Sequence, residues 1–152
     1  MEVREGGLDY PQVVALLQLH LDSMRAHSPP DSVHALDTSR LQQPDIRFWA
    51  AWDGAQLLGC AALREVDAAH GEIKSMRTHP EHLRRGTGAA LLRHILQVAR
   101  ERGYTRLSLE TGTGPAFEAA HGLYRQFGFT DCAPLAGYPA ADPFSRFMTR
   151  VI

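Results

Sequence analysis

Lysine is nearly absent from this 152-residue chain: Lys74 is the only one, and no G-x-x-x-x-G-K-[ST] loop surrounds it. That excludes a Walker A phosphate site. Cysteine is scarce too. Cys60 and Cys132 are too few and too far apart for a disulfide framework, so free thiols in a reducing cytoplasm are expected. No stretch is apolar enough to span a bilayer, and Glu2, Arg4, Glu5 and Asp9 stand where a signal peptide would carry its basic and apolar regions. An excess of one charge is missing as well. A net charge of −1 gives no ground for a nucleic-acid or membrane partner, so any basic site must be local. The eight histidines are scattered, and His79 and His82 lack an evident third ligand, so no metal is expected.

What is present suits one domain over residues 1–152, since 44% hydrophobic and 22% charged residues are ordinary for a globular core of this length. The organising stretch runs from Glu72 to Arg102. Ile73, Ser75 and Arg77 alternate with Lys74, Met76 and Thr78 as in a strand, and Pro80 stops it. Gly86 and Gly88 open a segment with Leu91, Leu92, Ile95, Leu96 and Ala99 at helical spacing, closed by Gly103. A glycine turn entering a helix offers free N–H groups and the positive dipole end to an anion, and Arg84 and Arg85 add charge. A phosphate or pyrophosphate is the first ligand this predicts. The plainer reading is a tight turn whose glycines only supply unusual backbone angles. A dinucleotide fingerprint is weak, because Leu91 replaces the third glycine and the loop lies mid-chain.

Taken in order, Glu2 to Glu5 reads as a first strand. A helix follows from Pro11 to about His27 with a stripe of Val13, Leu16, Leu17, Leu21 and Met24. Residues Ser32 to Pro44 form a long loop with one short helix around Val33 to Leu36, the kind of segment that shapes a ligand site. Arg47–Trp52, Leu57–Val66 and the strand at Glu72 form an antiparallel meander, with turns at Asp53-Gly54 and over Asp67–Gly71. Beyond the Gly86–Arg102 helix, Thr105–Glu110 is a strand that the strand–helix–strand order makes parallel to the Glu72 strand. A second late helix starts near Pro115 with an inner stripe of Ala116, Ala120, Leu123 and Phe127. Strands at Phe129–Cys132 and Phe144–Ile152 then flank a loop over Pro134–Pro143.

With these residues in place, the chain resembles the GCN5-related N-acetyltransferase (GNAT) superfamily. Leu83-Arg84-Arg85-Gly86-Thr87-Gly88 fits its [Q/R]-x-x-G-x-[G/A] loop, with Leu83 in place of the usual polar residue. Leu123-Tyr124-Arg125-Gln126-Phe127-Gly128-Phe129 is its Leu-Tyr-x-x-x-Gly-Phe signature intact. Ser28-Pro29-Pro30 through Asp37, and Asp142-Pro143 through Thr149, look like the bacterial YsnE-type acetyltransferases. The resemblance implies an α+β (mixed α/β) fold: a central mixed, mostly antiparallel sheet of about seven strands flanked by about four helices. It also implies a cytoplasmic enzyme using acetyl-CoA, without a metal, on a small-molecule or peptide amine, by direct transfer in a ternary complex. It leaves homodimerisation open. A non-catalytic acyl-CoA-binding or sensing module is the alternative.

Carried over residue by residue, the resemblance gives Met76, Arg77 and Thr78 the backbone contacts to the pantetheine arm. Arg84, Arg85, Gly86, Thr87, Gly88 and Ala89 become the pyrophosphate cradle. Tyr124 occupies the position of the general acid, against a plain reading as a core tyrosine. Glu72 and Glu110 are both candidates for the base, each with a plain reading as a strand-end charge. The acceptor is expected between the 28–44 and 134–143 loops, with Trp49, Trp52 and nearby histidines as candidate lining.

Overall fold

The computed structural model describes residues 1–152. Its elements are β1 (Glu2–Glu5), α1 (Pro11–His27), α2 (Thr38–Leu41), β2 (Ile46–Asp53), β3 (Gln56–Asp67), β4 (His70–Thr78), α3 (Thr87–Glu101), β5 (Arg106–Gly112), α4 (Glu118–Gln126), β6 (Thr130–Asp131) and β7 (Ser145–Val151). The strands form one sheet in the order β1-β2-β3-β4-β5-β7-β6, and every neighbouring pair is antiparallel except β4–β5. The expected mixed α/β architecture is therefore present.

Both faces of the sheet are covered, because successive strand side chains point to opposite sides. In β2, Phe48, Ala50 and Trp52 join Val13, Leu16 and Leu17 of α1 on one face. Trp49 and Ala51 join Leu91, Leu92, Ile95 and Ala99 of α3 on the other. Truncating a fully buried leucine such as Leu92 to alanine is expected to cost ~2–5 kcal/mol. Gly54, with φ +57°, supplies the left-handed turn of the β2–β3 hairpin.

Several boundaries differ from the sequence reading. Residues Val33–Leu36 are irregular; the helical turns fall on either side, at Pro30–Ser32 and in α2, where the Asp37 side chain caps Arg40 N–H. His20, not Leu21 or Met24, completes the buried stripe of α1. In α4 and the turn before it, the buried side is Phe117, His121 and Tyr124, while Ala120, Leu123 and Phe127 are only partly buried. The Phe129–Cys132 strand shrinks to Thr130–Asp131, and β4 begins at His70, leaving a shorter turn than expected.

The feature that positions the site is a fork between β4 and β5. Their parallel register runs only from His70↔Arg106 to Ile73↔Leu109. Beyond it β4 stays with β3 as far as Thr78↔Gly59, and β5 stays with β7 as far as Gly112↔Ser145. Just past the fork, Ser75 adopts a positive φ of +51°, and the β3 register skips from Ala62↔Lys74 to Cys60↔Arg77. This is a bulge, and it changes which residues share a face. Lys74 and Arg77 both lie opposite residues of the α1-side cluster, while Met76 packs against the α3-side cluster.

Candidate active site

The fork opens a cleft of about 480 Å³, within the usual range for small-molecule sites. Its floor is Ile73–Thr78 of β4 and Leu109–Gly112 of β5. The end of α1 and the 32–35 segment wall one side, and α4 with Leu83 and Gly88 the other.

At the Gly88 end, α3 starts on Gly86, whose φ of +78° a side chain would strain. A Cβ there would meet nothing within 4 Å, so the approach to the backbone is open. The first intrahelical bond runs from Ala90 N–H to Gly86 C=O, leaving the N–H groups of Thr87, Gly88 and Ala89 without helical partners. The Thr87 hydroxyl is buried and unpartnered, and Arg84 and Arg85 are exposed beside it. These groups fit a phosphate-bearing ligand. Gly88 has a different reason: a Cβ would sit 2.7 Å from Leu123 Cδ2, so its absence lets α3 approach α4.

Met76, Arg77, Thr78, Gly88, Glu110 and Tyr124 line the cleft; Glu72 does not. Glu110 Oε1 accepts a hydrogen bond from Ser145 Oγ at 3.0 Å. Burial pushes its carboxyl up to about 7, against the opposing pull of Ser145 and Lys74. Burial also pushes the Tyr124 hydroxyl up to about 12, helped by the nearby Glu110 charge, and no protein group bonds that hydroxyl. Gly112 helps seat α4 beneath the cleft. A Cβ there would overlap the Phe117 ring at 2.3 Å, and His121 Nε2 lies 2.9 Å from the Gly112 carbonyl.

Glu72, although on β4, is 1% exposed and fully engaged on the α1 face. One carboxylate oxygen accepts from Arg64 Nη2 at 2.9 Å and Nε at 3.1 Å. The other accepts from the Tyr138 hydroxyl and lies 3.7 Å from Lys74 Nζ. A carboxylate so held carries three hydrogen bonds and stands outside the cleft lining.

Lys74, Tyr138 and Ser145 are not among the site residues expected from the sequence. Lys74 Nζ donates to the Tyr138 hydroxyl at 2.6 Å and to the His34 carbonyl at 3.3 Å, and burial lowers its pKa. Its being the only lysine, inside the organising strand, was the one available signal. Tyr138 stands edge-on to His34 with ring centroids 5.0 Å apart, so the 28–44 and 134–143 loops meet beside Lys74, but only the first of them lines the cleft. The expected tryptophans are elsewhere. Trp49 and Trp52 are buried in the two cores, Trp49 against His94 and Trp52 against Tyr10, because both faces of β2 are covered. Of the histidines, His20, His27 and His34 do line the cleft. Outside it, potential ligand atoms of His79, Glu81 and His82 lie within 4.8 Å of one another, and His79 Nδ1 is already taken by Glu81 N–H. No helix is long and apolar enough to cross a membrane.

Comparison with known proteins gives a consistent result. The model of the acetyltransferase (GNAT) family matches residues 13–129. The chain is 51% identical over 150 residues to the uncharacterized N-acetyltransferase YsnE of Bacillus subtilis, covering 99% of each protein. It is 50% identical over 147 residues to the uncharacterized N-acetyltransferase YedL of Escherichia coli, covering 97% of this chain and 92% of that one. Among solved structures, a GNAT family acetyltransferase from Elizabethkingia anophelis with acetyl-CoA bound shares the fold, with a TM-score of 0.72 at 18% identity. That match covers 99% of this chain and 97% of the other.

Proposed function

The chain belongs to the acetyltransferase (GNAT) family, and we propose that it is a single-domain enzyme moving the acetyl group of acetyl-CoA directly to a primary amine held in the same cleft. The observation that carries this reading is the fork. It opens one cavity lined by an unpaired strand edge, Glu110, Tyr124 and, at one end, Gly88 of the phosphate-fitting helix start. Acetyl-CoA supplies the thioester carbon that the amine attacks.

In this reading the cradle is the N–H groups from Arg84 to Ala89, with the charges of Arg84 and Arg85. The β4 edge over Met76, Arg77 and Thr78 takes the extended arm of the cofactor. Main-chain binding accounts for the tolerance of Leu83, whose side chain is 59% exposed.

Glu110, rather than Glu72, is the base. A carboxyl at about 7 is half ionised at neutral pH and can still take a proton, the compromise a general base needs. Glu72 serves instead to hold Arg64, Lys74 and Tyr138 in place. Tyr124 supports the leaving sulfur, with one change from the role expected of it. A hydroxyl at about 12 stands well above a thiol of ~8.5, so complete proton transfer would be uphill by ~5 kcal/mol. The phenol therefore acts as a hydrogen-bond donor to sulfur as negative charge develops there, and the proton that neutralises the thiolate comes ultimately from the amine. Such a donor strengthens only as charge builds, which is where catalysis gains.

The test is a calorimetric titration with acetyl-CoA, followed by thiol release with amine acceptors. Binding with amine-dependent release supports the reading; binding without release by any amine contradicts it.

A further inference from the structure

On the α1 side of the cleft, we propose that Arg77, His20 and Ser75 form a carboxylate subsite, so that the accepted amine also carries a carboxylate. This rests on the acetyl-transfer reading and specifies its acceptor class.

Arg77 is the first observation. The bulge at Ser75 turns its side chain to the α1 face, where Nη1 bonds only Ser23 Oγ, at 3.2 Å. No carboxylate lies within ion-pair distance of it, in contrast to Arg64 on the same face, which is held by Glu72. Burial lowers the Arg77 pKa, and only the neighbouring Cys60 thiol, not a carboxylate, acts against it. A partly buried cation without a counter-charge is costly, and a bound anion is the natural remedy.

The second observation is independent. His20 Nδ1 and Ser75 Oγ are buried without hydrogen-bond partners, both residues are 7% exposed, and both line the cleft. Burial and the Arg77 charge hold His20 down to about 4, so at neutral pH its ring is uncharged and one nitrogen is free to donate. A guanidinium, an imidazole and a hydroxyl are donors matching the two oxygens of a carboxylate. Lys74 is not available for this role, being engaged by Tyr138 and Glu72.

The placement fits a compact acceptor. Lys74 is the residue next to the fork on β4, as Glu110 is on β5, and Arg77 lies three residues further along. That is ~10 Å of strand, shortened by the bulge and by side chains reaching inward. One small molecule can span an amine at Glu110 and a carboxylate at Arg77.

The experiment compares free amino acids with their carboxamides as acceptors in a thiol-release assay, using the parent protein and Arg77→Met. The parent should favour the acids by about tenfold or more in kcat/KM, as expected for hydrogen bonds to a charged group. In Arg77→Met that preference should vanish, the KM for the acids rising about tenfold more than that for the carboxamides, whereas any loss through the cofactor, which residue 77 meets by its main chain, would fall on both alike. If Arg77→Met does not fold, Ser75→Ala should narrow the preference by about fivefold. Equal use of acids and carboxamides by the parent, or equal losses on both in the variant, would overturn the subsite alone. Binding of acetyl-CoA with no release by any amine would instead overturn acetyl transfer, and the subsite with it.

Discussion

Glu72 and Glu110 sit on adjacent parallel strands, two positions apart in register, since Glu72 pairs with Ser108. Their surroundings differ completely. Glu72 lies before the fork, is 1% exposed and is compensated by Arg64, Tyr138 and Lys74. Glu110 lies just after the fork, opens to the cleft and keeps one hydroxyl partner, Ser145. Burial without a cation in contact raises a carboxyl pKa, whereas burial with one stabilises the charge. A few ångströms along a sheet thus separate a carboxylate that holds structure together from one that can exchange a proton.

The sharpest way to break this contrast is Glu72→Ala. It would strand Arg64, Lys74 and Tyr138, and a loss of ~3–5 kcal/mol of stability is expected in denaturant unfolding. Glu110→Gln should do the reverse, cutting kcat/KM by ~100-fold or more while the protein stays folded. Its stability effect has a definite sign. The folded carboxyl sits at about 7 against an ordinary 4.5, so the folded state holds this proton more tightly. Stability from this group is therefore full below pH ~4.5 and is lost as pH rises through ~7, by ~3 kcal/mol in all. The Tm of Glu110→Gln relative to the parent should accordingly improve between about pH 5 and pH 8.

Tyr124→Phe should lower kcat by ~10–100-fold while acetyl-CoA affinity is spared, as read by single-turnover kinetics and titration calorimetry. The smallest effect should come at the helix start. Gly86→Ala would strain a positive φ by ~1 kcal/mol yet meet no neighbour, whereas Gly88→Ala would press on Leu123 and cost ~1–3 kcal/mol. Thermal unfolding of the two separates a backbone requirement from a packing one.

Local rules made much of this legible beforehand. Helical spacing marked α1 and α3, and Asp53-Gly54 marked the hairpin. Gly86 opened the right helix, and the strand–helix–strand order gave the parallel pair that forks. The expected Gly88 role was incomplete, because contact with Leu123 depends on how α3 meets α4. The bulge at Ser75 was invisible, since strict alternation assigns Arg77 to the face opposite Lys74 and one extra residue reverses that. Tyr138 and Ser145 reach their carboxylates across 66 and 35 residues, and no periodicity reports such pairs. Trp49 and Trp52 were misplaced for a related reason: whether a strand aromatic faces a cleft or a core depends on both faces of the sheet being covered.

The most direct test of the central claim is the pH dependence of kcat/KM for one amine acceptor, measured on the parent, Glu110→Gln and Glu72→Gln. Ionisation of Glu110 predicts an acid limb near pH 7 in the parent and in Glu72→Gln, absent from Glu110→Gln. A limb that survives in Glu110→Gln and disappears in Glu72→Gln would contradict the assignment and return the base to the other side of the fork.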